Sequence, residues 1–150
     1  MQTIERDIAS ALIFSKDGKI FQGKKNPKNG GVYLDCWHIP GGGLEGGDTY
    51  TEAIIREVRE ETGIDISNCT LVLVDDVGVG ESEKVLPSGE KVLCKMKFTV
   101  YKVTLDTDAA GTKVTLDDEL AEYRWSDPKE LKDLKLTPPS VELFQRLGYL

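Results

Sequence analysis

An α/β fold, a mixed β-sheet flanked by helices, is predicted by three observations on this chain. Apolar or alternating segments suited to strands recur at residues 8–14, 71–79 and 92–100. Two segments that begin at Thr49 and Thr137 carry helix start signals and end on Gly63 and Gly148. Strands and helices interleave without the regular alternation of a parallel βαβ sheet, which points to mixed pairing. The 150 residues suit a single domain over 1–150, and no repeat or composition shift marks a second one.

Residues 8–14 form an apolar run suited to a buried strand. Lys16, Asp17, Gly18 and Lys19 then turn the chain into a short strand at 20–23. Residues 26–31 (NPKNGG) read as a loop, and 32–39 lead into Pro40 and a glycine triplet. Thr49 with Glu52 makes a capping box, which satisfies two backbone donors at the helix start. Ile54, Ile55 and Val58, with Thr51 and Thr62, form the stripe that packs on the body, and Gly63 ends the helix. Residues 71–79 read as a strand, and 87–90 (PSGE) as a turn between two strands. Val92, Cys94, Met96, Phe98 and Val100 alternate strictly, as in a half-buried strand. A further short strand spans 122–125, and Asp127 with Pro128 opens a helical turn. Thr137 and Pro138 start the last helix, with Val141, Phe144 and Leu147 on one face.

A hydrophobic content of 39% and a charged content of 30% describe an ordinary soluble chain. The net charge of −7 argues against an extended nucleic-acid groove, though not against a nucleotide whose phosphates meet bound cations. No apolar run approaches the roughly 20 residues of a membrane helix. The N-terminus is too polar for a signal peptide, so the cytoplasm is the expected location. Cys36, Cys69 and Cys94 show neither a disulfide framework nor zinc spacing, and Cys94 reads as core. His38 cannot build a His-based metal site alone and reads as a loop or packing residue, with a substrate contact as the alternative.

The most informative stretch is 40–64, PGGGLEGGDTYTEAIIREVREETGI. Glu57, Glu60 and Glu61 lie on one face of the helix, a third of a turn from the apolar stripe. Like charges at that spacing repel, and a hard dication such as Mg²⁺ reverses the sign. The glycines ahead of them let backbone approach a ligand or metal closely. This pattern resembles the Nudix hydrolases, whose box reads G-x5-E-x7-R-E-U-x-E-E-x-G-U, with U bulky and aliphatic. Counting from Gly42, every defined slot matches through Ile64 except Asp48, where the family has Glu.

The resemblance implies an α-β-α sandwich with a mixed sheet, and metal-dependent hydrolysis of a nucleoside diphosphate derivative at a pyrophosphate bond. By position, Glu57, Glu60, Glu61 and the Gly41 carbonyl are the expected ligands for Mg²⁺, with Mn²⁺ as an alternative. One glutamate takes a proton from water, and the family differs over which one. Arg56 is expected to orient Glu57 or pair with Asp48, and Asp48 to position the glutamates without binding metal. Glu119, in LDDELAEYRW, is the candidate for a further catalytic or metal-binding acid; a solvated acidic loop is the alternative. Lys24 is either a phosphate contact or a solvated lysine.

The absence of a proline between the box and Pro87 weakens an ADP-ribose reading, and the compact length resembles nucleoside-triphosphate pyrophosphohydrolases. A nucleotide-sugar hydrolase and a catalytically weak nucleotide-binding module are the alternatives. A small nucleotide is the expected partner, with room for a homodimer.

Overall fold

The computed structural model describes residues 1–30 and 33–150. The expected loop end at Gly31 and the segment start at Val32 lie outside the described residues. Strand β1 (Gln2–Phe14) is the spine of the sheet, paired in parallel with β5 (Lys91–Thr104) along its whole length, from Gln2 opposite Val92 to Phe14 opposite Thr104. β5 pairs antiparallel with β4 (Leu71–Val85), the outer strand on that side. On the other side of β1, the short strand β3 (Gly41–Gly43) pairs with Ile8 to Ser10, and β2 (Ile20–Lys25) meets Phe14. β2 in turn pairs antiparallel with β6 (Leu120–Ser126). The sheet is mixed and six-stranded, as the interleaved pattern predicts.

Helix α1 (Tyr50–Thr62) covers one face and α2 (Pro138–Arg146) the other. The alternation of β1 divides the core between them: Ala9, Ala11 and Ile13 pack with Ile54 and Val58, while Leu12 and Phe14 pack with Leu143 and Phe144. The capping box at Thr49 and Glu52 is formed, and Gly63 closes α1 at φ 74°, a left-handed turn that suits glycine. On α1, Ala53 joins the core, whereas Thr51 and Ile55 are only half-buried. The Thr62 hydroxyl is buried and donates to the Val58 carbonyl at 2.6 Å.

Five strands run longer than the apolar pattern suggests, β2 and β5 by a few residues and three others as follows. Residues 2–7 are mostly exposed, yet the ladder with β5 extends β1 through them. β4 likewise continues to Val85 with alternate residues in solvent. β6 starts at Leu120, a buried side chain opposite Lys25. Backbone pairing holds these extensions, joined at Leu120 by a buried side chain, so hydrophobic periodicity underestimates them. The glycine triplet, expected as a free loop, is a strand for the same reason. In the second half, Pro128–Asp133 forms the expected helical turn, with the Asp127 N–H donating to Glu130 Oε1 at 2.8 Å. A bidentate ion pair from Arg146 to Asp75, at 2.7 and 3.0 Å, ties α2 to β4.

Candidate active site

Pairing of β3 to β1 carries the glycines beneath the C-terminal half of α1. A Cβ on Gly41 would sit 2.5 Å from the Ala9 carbonyl oxygen, and one on Gly42 would sit 2.5 Å from the Glu57 carboxyl carbon and displace it, so glycine suits this close approach of backbone to strand and carboxylate. Glu57, Glu60 and Glu61, with Asp117, Glu119 and Arg6, wall a polar cavity of about 410 Å³. A second cavity, of about 450 Å³, shares Arg6, the glycines and Glu119 with the first. Its lining is mostly apolar: Ile8, Met96, Phe98 and Val100 from the sheet, and Leu143 from α2. The strict alternation at 92–100 is therefore the wall of a cavity as well as of the core.

The loop that carries Asp117 and Glu119 is fastened to the end of α1. The Thr115 N–H donates to the Thr62 carbonyl at 2.9 Å, and the Asp117 N–H to the Glu61 carbonyl at 3.4 Å. The Asn26 N–H holds the Glu119 carbonyl at 2.9 Å. These bonds bring late acids to the helix face across a long stretch of intervening chain.

Burial is uneven among the acids of the polar cavity: Glu61 is buried, Glu57 half-buried, and Glu60, Asp117 and Glu119 exposed. Glu61 is buried, and its Oε2 has no hydrogen-bond partner among the described residues. Burial, then the charges of Glu57 and Asp117, push its carboxyl well above the usual range. Burial also raises Glu57, against the pull of Arg56. Glu60 is exposed on the cavity rim. Among the described residues, no three acidic, imidazole or thiol groups are gathered tightly enough to hold a metal as they stand. The donor chemistry still fits a hard dication: the set is all oxygen, and its most buried member lacks a partner.

Arg56 links the outer acids to this group. It makes a short ion pair with Asp48, lies 3.4 Å from Glu57, and reaches the Gly43 carbonyl at 3.5 Å. Asp48 also accepts from the Glu45 N–H at 3.1 Å and does not line the polar cavity. The Arg56 guanidinium holds the Asp48 carboxyl below its ordinary value. Asp48→Ala is expected to lower kcat about 10- to 100-fold by loosening Arg56 and hence Glu57, the scale of a lost supporting contact at a metal site. Asp48→Glu should retain or improve activity. Measuring kcat against Mg²⁺ concentration for both variants checks this, and wild-type behaviour of Asp48→Ala would reduce the residue to a helix cap.

Lys24 is not brought to either cavity. Its ammonium lies 3.4 Å from Asp35 and 3.9 Å from Glu122, and 4.7 Å from the Trp37 ring centroid. The neighbouring Lys25, on the opposite face of β2, lines the apolar cavity. Arg6 is the residue that sequence reasoning misses. Arg56, Arg59, Arg124 and Arg146 each pair with a carboxylate, whereas Arg6 has no such partner among the described residues and lies against Gly43. No local motif marks it, because the register of β1 on β3 and β5 is what carries it to the site.

Comparison with known proteins agrees with this fold. The NUDIX domain family model matches residues 5–147. Nucleoside triphosphatase NudI of Salmonella schwarzengrund (strain CVM19633) is 33% identical over 110 residues, spanning 71% of this chain and 72% of that protein. Among solved structures, the MutT protein from Methanosarcina mazei Go1 superposes with a TM-score of 0.67 at 24% identity, covering 99% of this chain and 96% of that one. The E. coli dihydroneopterin triphosphate pyrophosphohydrolase has the same fold, with a TM-score of 0.68 at 18% identity over 95% and 96% of the two chains. The chain belongs to the Nudix family. It is a hydrolase of phosphoric anhydride bonds.

Proposed function

We propose that this chain is a divalent-metal-dependent pyrophosphohydrolase that converts a nucleoside triphosphate to the monophosphate and pyrophosphate. The observation that carries the reading is the juxtaposition of two unlike cavities, one acidic and one apolar, across a strand of three glycines. A nucleotide has the same division, with an anionic phosphate chain at one end and a flat, largely apolar base at the other. The similarity to a protein named nucleoside triphosphatase supports the same substrate class.

In this reading the base enters the cavity walled by Met96 and Phe98, and the phosphate chain crosses the glycines towards the glutamates. Arg6, without a carboxylate partner among the described residues, meets phosphate oxygens. Glu57, Glu60, Glu61 and the Gly41 carbonyl, with Glu119 from the late loop, would hold Mg²⁺ or Mn²⁺, which supplies neutralisation of phosphate charge and a lower pKa for the attacking water. Glu57 or Glu60 accepts the proton of that water. Arg56 and Asp48 keep Glu57 in its orientation. We further propose a cytoplasmic enzyme; no described helix is long and apolar enough to cross a membrane. A homodimer would use the outer edge of β4, where Val72, Leu73 and Val77 are exposed.

The test is a product assay by ion-exchange chromatography over nucleoside triphosphates, nucleotide sugars and dinucleoside polyphosphates. Monophosphate and pyrophosphate should appear, and EDTA should abolish turnover. Release of orthophosphate alone, or turnover indifferent to EDTA, would sink the mechanism. Turnover of a nucleotide sugar alone would keep the mechanism and sink the substrate class.

A further inference from the structure

Helix α2 covers one end of its sheet face, over Leu12, Phe14 and Val100. Farther along β1 and β5 the same face carries Ile8, Phe98 and Met96, which line the apolar cavity. Opposite Phe98 and Met96, β4 has Gly78 and Gly80, which add no side chain to this face. A Cβ on Gly80 would sit 3.0 Å from Cε2 of Phe98. One on Gly78 would sit 3.1 Å from Nη2 of Arg146 and 3.5 Å from Cβ of Phe98. The Arg146 guanidinium therefore lies over β4 beside Phe98, on the cavity side of the sheet, and Arg146 lines that cavity.

Asp75 fixes the guanidinium along one edge, accepting from Nε at 2.7 Å and from Nη2 at 3.0 Å. The Asp75 side chain is only 6% exposed, whereas that of Arg146 is 32% exposed and open to a ligand. Arginine carries five N–H donors in one plane, and this pair uses two of them. The edge between Nη1 and Nη2 keeps two parallel donors, and Arg146 makes no further hydrogen bond among the described residues. Asp75 balances the charge of Arg146, and Glu142 stands near it on the same cavity. An anion gains little there, whereas a neutral carbonyl or ring nitrogen gains a directed bond from a charged donor. We infer that Arg146 is a specificity-determining residue whose free pair of N–H donors reads a base edge with two neighbouring acceptors. This rests on the nucleotide reading above. Guanine offers O6 beside N7, and cytosine offers O2 beside N3. Uracil places an N–H between its carbonyls, and adenine an amino group between N1 and N7, so a donor would face a donor.

The full-length protein and its Arg146→Lys variant test this, a change that keeps the charge and loses the paired donors. Calorimetric binding of the adenine, guanine, cytosine and uracil nucleoside monophosphates is measured without metal. The 7-deazaguanine and 3-deazacytosine analogues, each lacking one of the two acceptors, are measured beside them, and kcat/KM is measured for the matching triphosphates with Mg²⁺. Arg146→Lys should weaken the guanine or the cytosine nucleotide roughly 5- to 100-fold, while adenine and uracil change by less than about 3-fold. In the wild type the analogue of the recognised base should lose a comparable factor, and in Arg146→Lys it should lose little more. The analogue that loses affinity identifies the edge that is read. A brace between α2 and β4 and nothing more would lower the melting temperature and weaken all the nucleotides together, which overturns the inference. An unchanged base ranking, or analogues that bind the wild type as well as their parents, also overturns it. If Arg146→Lys does not fold, the analogue series on the wild type decides. Triphosphate hydrolysis without base preference overturns this inference and leaves the proposed reaction standing. Base-selective binding without hydrolysis does the reverse, and absence of any nucleotide binding overturns both.

Discussion

Glu57→Gln is expected to lower kcat about 10²–10⁴-fold, the scale of a lost general base or comparable catalytic group. The metal-free protein should nevertheless be as stable as wild type or more so. Glu57 stands against Gly42 with its carboxyl pushed up by burial, and the charge on Glu60 raises it further. Replacing the carboxylate with an amide removes that repulsion at nearly the same volume. Arg56 keeps its short pair with Asp48 and so is not stranded. Glu52→Gln, at the capping position, is the control and should stay close to wild-type activity. Thermal unfolding without metal, paired with kcat, checks the claim. If Glu57→Gln unfolds readily while the surviving fraction is fully active, the acid face is structural.

The second large effect is a loss of metal-free stability with rising pH. Glu61 has a folded pKa well above the ordinary 4.5, so between those two values the folded state binds more protons than the unfolded chain. Its contribution is then most favourable below about pH 4.5 and is lost as pH rises through the raised folded value. His38 acts in the opposite sense below 6.5, because burial favours its neutral form. The difference between wild type and Glu61→Gln isolates the glutamate: the variant should gain on wild type steadily as pH rises. A saturating dication should reverse the order, since a ligand at about 100 times its Kd adds roughly 2.7 kcal/mol to the state that binds it. Denaturation curves at pH 5, 6.5 and 8 would test this; parallel stability profiles for the two proteins would show that Glu61 is relieved by some other route.

The candidate site was legible in sequence wherever its parts are local. The capping box, the face shared by Glu57, Glu60 and Glu61, and the glycine stop all follow from helical spacing within one segment. The two cores were legible in the same way, from apolar periodicity on β1, α1 and α2. What lies across the sheet was not. Arg6 sits in an exposed stretch of β1 with no motif around it, and it reaches the glycines through pairing of strands far apart in the chain. His38 was visible as a lone histidine, but its pairing with Gly23 and the approach of its ring to the Ile39 carbonyl depend on the fold. Lys24 and Lys25 show the limit most simply: one residue of register separates a cation held by Asp35 from one that lines a cavity.

The glycine strand also separates two kinds of inheritance. The acids come from α1 and the 117–119 loop, whereas much of the apolar cavity is walled by β5 and α2. On the proposed reading, a substitution at Met96, Phe98 or Leu143 reshapes the cavity that takes the base while the spacing of Glu57, Glu60 and Glu61 stays set by the helix. After gene duplication, one copy can therefore explore new substrates through its cavity walls while it retains the reaction intact. Change at the glycines has no such freedom, since any added side chain at Gly42 meets Glu57.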